Sequence, residues 1–507
     1  MSLHIRDGLI ISEAESKTQI SWHEAKPYCE IPGPKSALKS IRNFLPGGKY
    51  YKISLKDLHI LLNEEYGDLV RLKGFLGRPD FILSFNPEDF EQIYRNEGPW
   101  PNRREFETFK HFRKNLRPDI YGDNAGLLVE HGEKWKELRG KVNPVMMQPR
   151  VIKPYVKLVE EVAEEFIERM LHLRDSNNEL PNDFSKELNK WALESIARIA
   201  LDSRLGCLAD DSEMNYDSKI MIQAVHDFFH LTFKLEVLPS LWRYIKTPAY
   251  TKLMAALDVM TNISLKKIDE AITRINSNKN SESESEISVL EKLLKIDKNV
   301  AIIMAMDMLL AGIDTTSNTT AILLYFLAAN QRCQDKLREE IFTILPDKSS
   351  KLKNESFNHV PYLRACMKEA NRILPIAGGT IRKLAENVVL SGYQIPKGNE
   401  VVMSHLTTSL RENQFPNPKI YLPERWLTGE AAQGCPSAKS AHPFVHMPFG
   451  FGPRSCVGKR FADLEVETLI VKLLRNYKVE WSYGDLNVET KLLTIPVSPL
   501  KFKITEL

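Results

Sequence analysis

The sequence holds only six cysteines, Cys29, Cys207, Cys333, Cys366, Cys435 and Cys456, and no two of them form a C-x-x-C pair. That scarcity and spacing exclude a disulfide framework or a zinc knuckle and point to a reducing compartment. Charge of one sign is also lacking: 69 Lys and Arg against 66 Asp and Glu leave a net +3. A chain-wide nucleic-acid footprint is thereby excluded, and any electrostatic docking has to come from a local cluster. No long apolar run is free of polar groups. The longest, 300–329, carries Asp307, Asp314 and several hydroxyls, which suits a buried core helix and not a bilayer span. No G-x-G-x-x-G follows a strand-like run, so a dinucleotide or flavin site of that type is excluded and electrons must come from elsewhere.

Helical spacing of apolar residues predicts helices near 155–173, 184–201, 252–275, 300–330, 334–345 and 362–374, and another follows Cys456 to about Arg475. Strand-like runs such as 81–84 and 388–393 are few. The expected fold is mainly α with small β-sheets, in one large domain over 31–507. Residues 276–288, with alternating Ser and Glu, read as a solvated loop between helices. Residues 1–30 read as an irregular lead-in or presequence remnant; Glu13, Glu15, Glu24 and Glu30 make them a poor import signal.

The segment F-G-F-G-P-R-S-C-V-G at 449–458 precedes that last helix. A cysteine at a helix N-terminus meets orphan amide donors and the positive end of the helix dipole, and both favour a thiolate metal ligand. Gly452 and Gly458 remove side chains where the backbone must turn or approach a flat ligand. Arg454 offers a planar fork for a carboxylate. The five fixed positions Phe449, Gly452, Arg454, Cys456 and Gly458 match the haem-binding signature of the cytochrome P-450 family, which the sequence resembles from about Ile31 onward.

The resemblance implies a b-type haem between the long central helix and the helix of the cysteine loop, with Cys456 as the axial iron ligand. It implies that Trp135, Arg139 and Arg382 also bind the haem, and that Glu369, Arg372 and Arg425 form a buried structural triad. The long helix holds A-G-I-D-T-T at 311–316, resembling the family's oxygen-activation motif. There Gly312 would open a groove, and Asp314 and Thr315 would relay protons.

The activity implied is insertion of one oxygen atom from O2 into an apolar small molecule, a steroid or a xenobiotic. Read on the residues alone, a haem-thiolate isomerase or dehydratase and a non-catalytic haem ligand-binding protein stay open. Arg364, Lys368, Lys459 and Arg460 sit where the family's mitochondrial branch docks its electron donor. They imply an adrenodoxin-type ferredoxin fed by NADPH, and a place at the inner membrane on the matrix side. No transmembrane helix is expected; the aromatic stretch from Phe228 to Tyr244 reads as a substrate channel wall that dips into a membrane surface or, equally, as a plain hydrophobic core helix. Loops 106–127 and 375–379 fall where family members touch substrate, without naming it.

Overall fold

A computed structural model describes residues 20–74, 78–210, 214–277, 288–497 and 499–507. The helices that build the site are α1 (Gly132–Met146), α2 (Val156–Leu173), α3 (Ser185–Leu201), α4 (Tyr216–Thr232), α5 (Pro248–Ser277), α6 (Lys298–Ala329), α7 (Gln331–Ile344), α8 (Pro361–Ile373) and α9 (Lys459–Asn476). Helix α6 starts where the Asp297 side chain accepts from the amides of Asn299 and Val300 at 3.0 and 3.1 Å, an N-cap that satisfies orphan donors. It is apolar all round, which forces burial on every side. Among the described residues it is the one helix long and apolar enough to cross a membrane, and 78% of its most apolar window is buried inside the fold. Helices α3, α5, α8 and α9 pack around it, and α2 packs on α3 and α9.

The described residues also hold ten short strands: β1 (Leu69–Leu72), β2 (Phe81–Ser84), β3 (Thr380–Lys383), β4 (Val388–Leu390), β5 (Tyr393–Ile395), β6 (Glu400–Met403), β7 (Tyr477–Glu480), β8 (Val488–Thr490), β9 (Thr494–Pro496) and β10 (Lys503–Glu506). The one sheet of four strands runs β1-β2-β6-β3, with β2 and β6 parallel and the other pairs antiparallel. Its β3 strand carries Arg382 toward the site.

The single strand expected at 388–393 is a hairpin. Ser391 and Gly392 take φ of 46° and 81°, the double positive φ of a tight two-residue turn between β4 and β5. Packing also begins upstream of residue 31. The Tyr28 hydroxyl donates to Asp80 and Asn399 at 3.0 and 2.9 Å, and the Arg71 guanidinium lies 4.0 Å over its ring. Lys26 joins the edge of β5 by two backbone hydrogen bonds, to Gly392 and from Gln394. Of the expected loop at 276–288, residues 278–287 lie outside the described residues, as do residues 1–19 of the lead-in. Residues 276 and 277 end α5, and the Ser288 side chain caps the next short helix.

The aromatic stretch divides. Phe228, Leu231 and Phe233 are core residues, whereas Leu241, Tyr244 and Ile245 are exposed by 47%, 63% and 58%. The core-helix reading therefore holds for the first three, and the last three leave an apolar edge exposed.

Candidate functional site

Cys456 sits between a 3-10 turn, Gly452–Arg454, and the start of α9. The loop is closed by the Cys456 amide donating to the Phe449 carbonyl at 2.8 Å. Gly452 has φ +70°, and a Cβ there would lie 2.5 Å from Glu97 Oε1, so only glycine fits both the turn and the contact. Gly458 caps α9, and a Cβ on it would lie 4.0 Å from the sulfur. The Phe449 ring lies under the Lys459 ammonium at 5.3 Å.

Cys456 has open surface, yet the surrounding protein desolvates it. A side chain with both properties lines an internal slot. Helix α6 also has open surface inside the fold: Ala311 is exposed and Thr315 and Thr319 are half-exposed in a helix otherwise buried on both sides of them. Spacing of four residues puts the three on one face.

Burial pushes the Cys456 thiol up, outweighing the Gly458 and Lys459 amides and the Arg139 charge that pull it down. The helix-end amides pull in the expected direction, and a bound metal ion deprotonates a thiol outright. Among the described residues no group of three or more His, Cys, Asp or Glu is arranged to hold an ion. A lone sulfur fits a metal that arrives with its own ring of ligands.

The charge around the slot fits such a group. Arg103, Arg139, Arg382 and Arg454 lie close together: the charges of the other three lower Arg454, those of Arg382 and Arg139 lower Arg103, and Arg103 and Arg139 feel the Cys456 sulfur. Burial, followed by the other three arginines, pulls Arg454 down to about 9; burial, then Arg382, brings Arg103 to about 10. Against these four stand two buried carboxylates. Glu97 holds Arg382 at 2.5 Å, and Asp307 holds Arg113 at 2.5 Å. Several buried guanidiniums short of counter-charge match the two propionates of a haem.

At present Arg454 donates to the carbonyls of Pro101, Leu127 and Glu130, with its guanidinium 3.9 Å over the Trp135 ring. Arg139 donates to the Ser455 carbonyl at 2.9 Å. Arg139, Arg382 and Arg454 thus lie near one another, with Trp135 against Arg454 and the Cys456 sulfur near Arg139. Arg103 and Glu97 were missed: each is an isolated charge in a loop, and neighbouring Arg104 looks identical until packing separates them.

Glu369, Arg372 and Arg425 are all buried. Glu369 accepts from Arg372 at 2.8 and 2.9 Å and from Arg425 at 2.9 Å, and Trp426 Nε1 adds a fourth bond at 2.8 Å. Arg372 also donates to the Ser409 carbonyl and Arg425 to that of Pro416.

Two expectations for α6 change. A Cβ on Gly312 would lie 2.7 Å from Ile196 Cγ1, so this glycine lets α3 approach α6 closely; its missing side chain is filled by Ile196 and is not a groove. Thr315 and Asp314 share no hydrogen bond. Thr315 Oγ1 donates to the Ala311 carbonyl at 2.6 Å on the slot face, whereas Asp314 Oδ1 lies 3.0 Å from His226 Nε2 on the α4 side. Next to them, Thr316 donates at 3.2 Å to Glu465 of α9, a carboxyl that burial pushes up to about 8.

The expected basic patch is mixed. Arg364 is taken by Glu467 at 2.8 Å, and Asp463 lies among Arg364, Lys459 and Arg460. Both acids are largely covered, while Lys368 and Lys459 face outward. Burial, then Lys459 and Arg364, lowers Lys368, so the outer face is a crowd of cations.

The family model described as Cytochrome P450 matches residues 32–504. Cytochrome P450 CYP12A2 of Musca domestica is 43% identical over 496 residues, covering 96% of this chain and 92% of that relative. Probable cytochrome P450 12a5, mitochondrial, of Drosophila melanogaster is 40% identical, with 98% and 94% covered. Cytochrome P450 12b1, mitochondrial, of Drosophila acanthoptera is 42% identical, with 96% and 91% covered. The crystal structure of cytochrome P450DA heme domain superposes with a TM-score of 0.74 at 19% identity, covering 95% of this chain and 98% of that one.

Proposed function

The chain belongs to the cytochrome P450 family of haem-thiolate monooxygenases, and from that membership we propose a mitochondrial enzyme that oxidises an apolar small molecule, steroid or xenobiotic, with electrons from NADPH through an adrenodoxin-type ferredoxin. The observation that carries the reading is the slot itself: one sulfur on one wall, a hydroxyl-bearing stripe on the other, and four arginines short of counter-charge at its edge. Mitochondrial names among the relatives support the compartment.

Arg103, Arg139, Arg382 and Arg454 would hold the propionates, with Trp135 beneath Arg454, and Cys456 would ligate the iron. The group is a b-type haem, since the sequence has no C-x-x-C-H through which to attach one covalently. When bound, it supplies dioxygen activation, which a thiolate ligand favours by pushing electron density toward O–O cleavage. The protein's part is to keep the slot dry and to deliver protons in step. Thr315 Oγ1, which donates to the Ala311 carbonyl, would swing that hydroxyl to the slot face to hand on a proton. Replacing Thr315 with Ala is expected to cut product per electron about tenfold and release the balance as peroxide. Unchanged coupling would remove Thr315 from proton delivery.

Lys368 and Lys459 offer the outward cations that an acidic carrier needs for steering. Lys368→Glu is expected to raise the apparent KM for an adrenodoxin-type ferredoxin about tenfold at unchanged haem content and unchanged turnover at saturation. An unchanged KM would place the docking face elsewhere. Leu241, Tyr244 and Ile245 provide the exposed apolar edge for contact with the inner membrane on its matrix side.

A further inference from the structure

We propose that His226 is a positioning and proton-relay residue for the oxygen chemistry, taking protons from water in the pocket it lines and handing them to Asp314. The inference rests on the monooxygenase reading and adds to it the route by which protons reach the long helix.

Asp314 is almost wholly buried, with a side-chain exposure of 5%, and its Oδ1 lies 3.0 Å from His226 Nε2. The Asp314 backbone is held separately, its carbonyl accepting from the Asn318 amide at 2.6 Å, so the carboxylate is left to the histidine. His226, in contrast, has a side-chain exposure of 44%. It lines a pocket of about 300 Å³ together with Asn189, Asp227, His230, Lys491 and Asp314 itself. Apolar side chains such as Phe229 and Leu493 make up much of the wall, and the polar groups gather around the ring, where water can reach it.

The ring nitrogen has two neighbours and can satisfy one at a time. His226 Nε2 also lies 3.0 Å from Asn189 Nδ2, an amide nitrogen that can only donate. With Nε2 unprotonated the ring accepts from Asn189 and turns a lone pair to the carboxylate. With Nε2 protonated it donates to Asp314. Charges facing the ring are Asp314 from α6 and Asp227 from its own helix; Lys491 and His230 line the far side of the pocket. The hydrogen bond from the ring to Asp314 raises the His226 pKa, outweighing burial, with the Asp314 and Asp227 charges adding to it. The ion pair is therefore present at low pH and is lost as pH rises through that raised value.

Transfer breaks the Nε2–H bond and forms O–H on Asp314; the neutral ring regains its proton from pocket water, and no electrons move. Successive helical residues differ by about 100° around the axis. A turn of the Asp314 side chain toward the slot thus brings its proton to the Thr315 face.

The test uses the haem-loaded enzyme and two variants, His226→Ala and His226→Gln, the second keeping bulk and a donor but not titrating. Both should keep the thiolate-type carbon-monoxide band and substrate affinity. Both should lose product per NADPH about tenfold and show an enlarged solvent deuterium isotope effect, and His226→Gln should lose the alkaline fall of the wild-type rate. Nuclear magnetic resonance of labelled histidine should show His226 titrating above an ordinary imidazole, and falling back in Asp314→Asn. Wild-type coupling, isotope effect and pH profile in the variants would overturn the proposal, as would a His226 titration indifferent to Asp314. A wild-type protein without the thiolate band would instead overturn the haem reading beneath it.

Discussion

Cys456→Ser is expected to abolish monooxygenation, a loss beyond about 10³-fold, or more than about 4 kcal/mol in barrier, while the protein stays folded. The loop does not depend on the sulfur for its shape: the Cys456 amide to Phe449 carbonyl bond, the turn at Gly452 and the cap at Gly458 all involve backbone. What changes is the ligand. A serine hydroxyl in this buried site stays protonated and donates far less electron density than a thiolate. Cys456→His replaces the thiolate with a neutral nitrogen and should give a histidine-type carbon-monoxide band with equally little turnover. Far-ultraviolet circular dichroism checks the fold, and product formation checks the chemistry. Retained hydroxylation in either variant would remove Cys456 from the iron.

Glu369→Ala has the second large effect, and it falls on stability. Glu369, Arg372 and Arg425 are buried without water contact, and the carboxylate accepts four side-chain bonds. Removing it leaves two guanidiniums in the interior with only carbonyl partners. Breaking a buried pair in this way costs about 3–5 kcal/mol, a large part of the roughly 5–15 kcal/mol that holds a domain together. The variant should yield little haem-loaded protein. Glu369→Gln keeps the shape but not the charge and should be impaired in the same direction. Denaturant unfolding of the loaded proteins measures the difference, and a loss below about 1 kcal/mol would mean that the triad is dispensable.

Periodicity and local motif sufficed for much of the architecture. Helices α2, α3, α6 and α8 stand within a few residues of where apolar spacing put them, since each buries one face or, in α6, its whole surface. The residues of the cysteine loop and the triad were legible because they lie in short motifs whose order along the chain carries information. What was not legible depends on contacts across long stretches of sequence. Asp314 reads as the partner of Thr315 until α4 places His226 beside it. Gly312 reads as a groove until α3 places Ile196 against it. Arg103 and Arg104 are equivalent on paper, and only the slot makes Arg103 the one short of counter-charge. The helix-end amides lower the Cys456 thiol as its local sequence suggests, whereas the opposing burial is revealed by no local pattern.

The most direct measurement is the carbon-monoxide difference spectrum of the purified wild-type protein, reduced by an adrenodoxin-type ferredoxin with its reductase and NADPH. A red-shifted thiolate-type band formed by that electron chain is the expected result, because it needs both the Cys456 ligand and a docked ferredoxin. A histidine-type band from fresh protein would contradict the haem-thiolate site, and a thiolate band obtained with dithionite but not with the ferredoxin would contradict the mitochondrial electron donor.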